Sequence, residues 1–133
     1  MIVVVDASAI VELLLRTEIG EQVEPHILGP GASLNAPDLL DYEVLSALRR
    51  RELREQIAPT RALEALEDLR EIPITLYPTR PLHPRAWMLR RNLTAADALY
   101  AALGETLGAP LLTTDAALAR SLAVHTSAEV VDL

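Results

Sequence analysis

Apolar and polar positions follow two different rhythms along this chain. Ile2 to Val5 are continuously apolar and β-branched, the pattern of a strand buried on both faces. The run stops at Asp6 and a helix-like stretch follows. Ser8 is placed to cap a helix over about 9–16, because its hydroxyl can accept from a free backbone N–H. A second short helix is predicted over about 18–28, broken by Gly29-Pro30-Gly31. Ser33 to Asn35 reads as a short strand ended by Pro37, and Pro37 suits the first turn of the next helix. In that helix Leu40, Val44, Ala47 and Leu48 share one face. After a break at Ala58-Pro59, a helix over about 60–71 carries the stripe Leu63, Leu66, Leu69. Ile74 and Leu76 alternate with polar neighbours, which predicts a strand at about 73–77. Pro81 and Pro84 open a helix carrying Trp87. Thr94 starts a helix to about Leu107, ended by Gly108 and Pro110. Leu111 to Thr113 is a strand, Ala116 to Leu122 a helix, and the tail AEVVDL holds a last short strand.

Short apolar strands alternating with helices predict an α/β fold, a parallel sheet covered on both faces. The functional crevice of such a sheet lies outside the carboxyl ends of its strands. Asp6 and Asp115 both stand at carboxyl ends, so both should reach the same rim. The chain of 133 residues reads as a single domain, 1–133, with no repeat, linker or low-complexity tract.

Composition narrows the chemistry. Half the residues are hydrophobic but only 3% are aromatic and Phe is absent, so the core must be Leu, Val, Ile and Ala. With no Cys there is no disulfide, thiolate metal site or Cys nucleophile, which fits a cytoplasmic protein. The start lacks a basic n-region and no apolar run approaches a membrane span, so neither a signal peptide nor a membrane anchor is expected. All twelve basic residues are Arg, which excludes a Walker loop and Schiff-base chemistry. The net charge of −7 excludes generic nucleic-acid binding, which runs on positive charge. Any nucleic-acid role needs a local basic patch or bound metal.

Two further acids sit in apolar surroundings. Glu43 falls on the core-facing stripe of its helix, and Asp97 lies among small apolar residues in TAADALYAALGE. A carboxylate there is costly unless it is paired, protonated or bound to metal. Each acid also has an ordinary structural role open to it. Asp6 and Asp115 could cap the helices that follow them. Glu43 could snorkel or pair with an Arg. Thr94-x-x-Asp97 is a capping-box pattern. Those separate roles leave unexplained why four acids should gather at one rim. A hard divalent cation, Mg²⁺ or Mn²⁺, would offset their mutual repulsion. His26, His83 and His125 lie outside the four segments, which argues against zinc and against a metal-free His/His mechanism. Acid-rich metal sites act chiefly on phosphoryl groups.

The ordered set VVDAS, LLDYEVLSALRR, LTAADALYAALGE and PLLTTD resembles the PIN domain, and specifically the VapC-type toxins of bacterial toxin–antitoxin pairs, over nearly the whole chain. The resemblance implies a three-layer α/β/α sandwich around a short, mostly parallel sheet. It implies a Mg²⁺- or Mn²⁺-dependent endoribonuclease that cuts structured RNA, transfer or ribosomal, and so stops translation. It also implies a homodimer blocked by a VapB-like antitoxin. The family's acidic positions fall on Asp6, Glu43, Asp97 and Asp115, with Asp6 and Asp97 as principal metal ligands. Glu43 and Asp115 would bind a second ion, hold its waters or act as a base. The hydroxyl positions fall on Ser8 and Thr114, which would orient water or carboxylates. Ala96 departs mildly from the pattern, since relatives often carry a larger residue there, which bears on substrate preference.

Two Arg clusters could contact RNA phosphate: Arg49, Arg50 and Arg51 with Arg54 at the end of the Glu43 helix, and Arg90 and Arg91 with Arg85 before the Asp97 helix. Both also have structural readings, in the helix dipole and in surface pairs such as Arg51–Glu55. Trp87 reads as core or interface. Three other classes share parts of this pattern. A ribonuclease H-type fold would follow its first strand with antiparallel hairpins, whereas a helix follows here. A receiver domain needs a Lys. A noncatalytic interaction or dimerisation module could use the same acids to cap helices and bind an Arg-rich partner.

Overall fold

The computed structural model describes residues 1–132. The chain enters at the centre of its sheet with β1 (Ile2–Val5), followed by α1 (Ala7–Leu15) and α2 (Glu18–Leu28). Next come β2 (Ser33–Pro37), α3 (Leu40–Leu53), α4 (Pro59–Leu69) and β3 (Ile74–Tyr77). A 3-10 turn at Arg80–Leu82 leads into α5 (His83–Met88) and α6 (Ala95–Leu107). The chain closes with β4 (Leu111–Thr113), α7 (Ala116–His125) and β5 (Val130–Asp132). Leu133, the last residue of the predicted terminal strand, lies outside the described residues.

The sheet order is β3-β2-β1-β4-β5, and every pairing is parallel. The chain winds outward from β1 through β2 to β3, then crosses back to β4 and β5. Right-handed crossovers therefore place α1 to α4 on one face and α5 to α7 on the other. The packing agrees: α1 touches α2, α3 and α4, while α5 packs on α6. The winding direction reverses between β1 and β4, so the crevice of this α/β fold belongs at their carboxyl ends.

The core is aliphatic. Val3, Val4 and Val5 are buried between Ile10, Leu40, Val44 and Leu48 in one layer and Ala98, Ala101 and Leu103 in the other. One glycine brings two helices of the same layer close. A Cβ on Gly20 would stand 2.2 Å from the Glu12 carbonyl oxygen, so only glycine lets α2 lie against α1. Gly108 ends α6 in the left-handed region at φ 59°, the usual helix stop.

Several local expectations need correction. Asp6, not Ser8, is the N-cap of the first helix, and Ser8 lies inside it. Pro37 is the last residue of β2, and α3 begins at Leu40. Pro37 fits because it closes the strand's pairing, its partner being Tyr77. Leu63 is exposed; α4 buries Ala65 instead, with Leu66 and Leu69 packed beside it. Leu76 is exposed on the edge strand β3. No described helix is long and apolar enough to cross a membrane.

Candidate active site

Asp6 stands where β1 ends at the switch point, and both oxygens of its carboxylate accept hydrogen bonds. Oδ1 accepts from the Ala9 backbone N–H at 3.0 Å and from the Ser8 hydroxyl at 2.7 Å. Oδ2 accepts from the Thr113 hydroxyl at 2.5 Å. Asp6 thus caps α1 and also lines the cleft between the layers. Only 5% of its surface is exposed. Burial raises its pKa above the ordinary value; the bonds from Thr113, Ser8 and Ala9 oppose that shift, and the charge on Asp97 adds to it.

Ser8 and Thr113 stitch β1 to β4. The Ser8 hydroxyl accepts from the Thr114 backbone N–H at 3.1 Å, and the Thr113 hydroxyl accepts from the Asp115 N–H at 3.0 Å. The hydroxyl that reaches the acids from β4 is therefore Thr113's. Thr114 lines the cleft and gives Ser8 only its backbone N–H. Asp115 caps α7, its Oδ1 accepting from the Leu118 N–H at 3.1 Å. It is exposed at the cleft's edge.

The other two acids arrive from opposite layers. Thr94 caps α6 by accepting from the Asp97 N–H at 3.1 Å, half of a capping box. That bond fixes Asp97 in the first turn, with its side chain lining the cleft. Burial raises the Asp97 pKa, and Asp115 pushes the same way. Glu43 comes from α3. Its Oε1 is buried without a hydrogen-bond partner, and so is the Tyr100 hydroxyl. The two groups are close enough to perturb each other's ionisation, but the contact lacks normal hydrogen-bond geometry. Burial raises Glu43 most; Asp97 and Asp6 raise it further. Tyr100 is pushed far up by the same burial and by the Glu43 charge.

Asp6, Glu43, Asp97 and Asp115 therefore line one cleft of about 400 Å³, together with Ser8, Thr114 and Tyr100. Among the described residues, no three of these side chains form a ready-made metal cage. The donors are all oxygen, and one of them, Glu43 Oε1, is buried and unsatisfied. This set suits a hard cation that keeps several of its own waters.

The arginines divide. Arg50 and Arg51 line the cleft. Arg51 is held by Glu12, not Glu55, at 2.7 Å, and Glu12 accepts from the Thr17 hydroxyl at 2.5 Å. Arg49 faces away, along a groove with Leu45 and Leu53. Arg54 caps the end of α3. Arg85 forms a two-pronged bond to Glu105 at 2.7 and 3.0 Å. Arg90 lies over the Trp87 ring, and Arg91 is exposed. Trp87 is exposed and is not core. Sequence reasoning missed Thr113, Tyr100 and the Glu12–Arg51 pair. Tyr100 had a signal, standing three residues after Asp97 on one helix. Thr113 had a weaker one, as the polar end of an otherwise apolar strand.

The PIN domain family model matches residues 3–121. Ribonuclease VapC12 of Mycobacterium tuberculosis is 37% identical over 129 residues, covering 97% of this chain and 98% of that protein. Ribonuclease VapC3 of the same organism is 44% identical over 119 residues, covering 90% and 86%. Among solved structures, PAE2754 from Pyrobaculum aerophilum aligns with a TM-score of 0.69 at 23% identity, covering 96% of this chain and 81% of that one. A chain of VapBC2 from Rickettsia felis aligns with a TM-score of 0.70 at 12% identity, covering 99% and 98%. These structural likenesses carry the fold.

Proposed function

The chain belongs to the PIN-domain family, beside the VapC ribonucleases, and on that footing we propose that it is a Mg²⁺- or Mn²⁺-dependent endoribonuclease. In this reading it is the toxin of a toxin–antitoxin pair, cutting structured RNA such as transfer or ribosomal RNA. Its cognate partner is a VapB-like antitoxin, and the toxin itself is a homodimer. The observation that carries the nuclease reading is the convergence of Asp6, Glu43, Asp97 and Asp115 on one cleft at the sheet's switch point. Three of these acids are raised in pKa by burial, a cost that a bound dication offsets.

Asp6 and Asp97 would hold the ion, with Glu43 and Asp115 binding its waters or a second ion. When bound, the metal supplies a nucleophile at neutral pH and charge stabilisation for the departing oxygen. The chain's own groups do the rest. The Asp6 carboxylate is locked in one orientation by Ser8, Thr113 and the Ala9 N–H, so little reorganisation accompanies the reaction. Glu43 Oε1 has no protein partner and its basicity is raised, which suits it to take a proton from attacking water. The water oxygen bonds to phosphorus as the bond to the 3′ oxygen breaks. That oxygen leaves and takes a proton from solvent water, giving a 5′-phosphate and a 3′-hydroxyl. Arg50 at the cleft rim is the group of the α3 cluster best placed to hold the flanking phosphate.

The test is incubation of partner-free protein with total cellular RNA in Mg²⁺, Mn²⁺ or EDTA, beside Asp97→Asn. Discrete fragments with 5′-phosphate ends, dependent on metal and lost in the variant, are expected. Intact RNA under every condition from folded, partner-free protein would refute the nuclease reading and favour a binding module.

A further inference from the structure

The ring of Tyr100 is packed into the core with 2% of the residue exposed. Phe would fill the same space. The hydroxyl that Tyr adds is buried without a hydrogen-bond partner, so it has lost its bonds to water and gained none in return. Among the described residues, one other buried side-chain atom is in that position, Glu43 Oε1. The two stand beside each other, one a donor and the other an acceptor.

A third group completes this corner. Ala7 is the first residue of α1, and the start of a helix leaves its N–H groups without intrahelical partners. The Ala7 N–H lies close enough to the Tyr100 oxygen to favour charge there. Burial, then the Glu43 charge, act the other way more strongly and keep the hydroxyl a neutral donor. Tyr100 itself is held by α6, one turn after Asp97, and reaches the back of the acidic cleft. Glu43 lines the same cleft from α3 and is only partly buried. One of its oxygens backs onto Tyr100 while the carboxylate opens on the cavity.

We propose that Tyr100 is the positioning residue for Glu43: its hydroxyl accepts from the Ala7 N–H, donates to the Glu43 carboxylate, and so holds that carboxylate open to the cleft when the site is loaded. The inference rests on the metal-nuclease reading and adds to it the group that orients Glu43. A carboxylate oxygen has two lone pairs, so a bond from Tyr100 leaves one for a water. Tyr100 acts through Glu43 and touches neither RNA nor metal. The chain Ala7, Tyr100, Glu43 ties α1, α6 and α3 together behind the acids, as Ser8 and Thr113 tie β1 to β4.

Tyr100→Phe removes the hydroxyl and keeps the ring. In EDTA the variant should melt at or above the wild-type temperature, because an unpaired polar group has left the core. Its affinity for Mn²⁺ by calorimetry should fall about tenfold, the effect expected when a group that orients a metal-site carboxylate is lost. In a Glu43→Gln background Asp6 and Asp97 remain to bind Mn²⁺, and there the same substitution should change affinity by less than about twofold. Cleavage at saturating RNA should fall in Tyr100→Phe with KM unchanged. Wild-type Mn²⁺ affinity in Tyr100→Phe would overturn the proposal. So would an equal loss in both backgrounds, since Tyr100 would then act without Glu43. A lower melting temperature in EDTA would also overturn it, because the hydroxyl would already be paired in the resting fold. No Mn²⁺ binding by the folded wild type would overturn both this proposal and the reading beneath it. The expected Mn²⁺ pattern in a wild type that cuts no RNA would keep the proposal and discard the nuclease reading. Metal-dependent cleavage at the full rate by Tyr100→Phe would do the reverse.

Discussion

Thr113 is the side chain on which the site's geometry turns. It is fully buried, donates to Asp6 and accepts from the Asp115 N–H, so one hydroxyl joins two of the four acids. Thr113→Val keeps the shape and removes both bonds. It should cost about 1–3 kcal/mol of stability in chemical denaturation, since buried groups lose their partners. Catalysis should fall more steeply, because Asp6 is no longer oriented. Wild-type-like stability and rate in the variant would show that Thr113 is packing only. Protonation gives a second prediction. Asp6, Glu43 and Asp97 have folded pKa values raised above their ordinary ones. Such groups favour the folded state below the ordinary carboxylate pKa, and that contribution is lost as pH rises through the raised value. Glu12 and Glu105 are lowered and act in the opposite sense, losing stability as pH falls. In EDTA, Asp6→Asn should therefore melt higher than the wild type at neutral pH, with the gap closing toward acid. Asn keeps the helix cap. A gap that is absent or widens on acidification would contradict the assignment of Asp6 as a penalised buried charge.

At the level of elements, the closeness of α1 and α2 is the most demanding contact. Gly20→Ala would drive a Cβ into the Glu12 backbone, and Glu12 also holds Arg51 at the cleft rim. The variant should lose about 1–3 kcal/mol in a denaturant titration; an unchanged midpoint would mean that the helices separate freely. Most elements were legible because strand and helix periods differ and because Gly and Pro mark their ends. The misreadings have physical causes. Pro37 suits a helix's first turn, yet it also fits the end of a strand whose last pairing needs no N–H from it. Spacing alone puts Leu63 in the stripe, but α4 buries the smaller Ala65 and leaves Leu63 exposed. Ser8 and Asp6 are both good caps, and because α1 starts immediately after β1 with no intervening loop, Asp6 takes the cap. The four acids were legible because charge on an apolar stripe or at a strand end is conspicuous. Thr113, Tyr100 and Glu12 were not, because each contacts the site through a partner more than ten residues away or from another layer.

Across the whole molecule, one sheet gathers charge that would otherwise repel. Asp6 and Asp115 come from the central strands' ends, Glu43 from one helical layer and Asp97 from the other. On a chain with net charge −7, such a cluster destabilises the fold unless a cation joins it. On the reading proposed above, a bound cation offsets that cost, and stability and function then meet at the same four residues. The most direct measurement is calorimetric titration of Mn²⁺ into partner-free wild type, Asp97→Asn and Glu129→Gln, the last an acid outside the cleft, each with a parallel melting scan. The account predicts saturable binding and a raised melting temperature in the wild type and in Glu129→Gln, both lost or strongly weakened in Asp97→Asn. Equal binding by all three proteins, or none by the folded wild type at millimolar Mn²⁺, would contradict the claim that these carboxylates form one metal site.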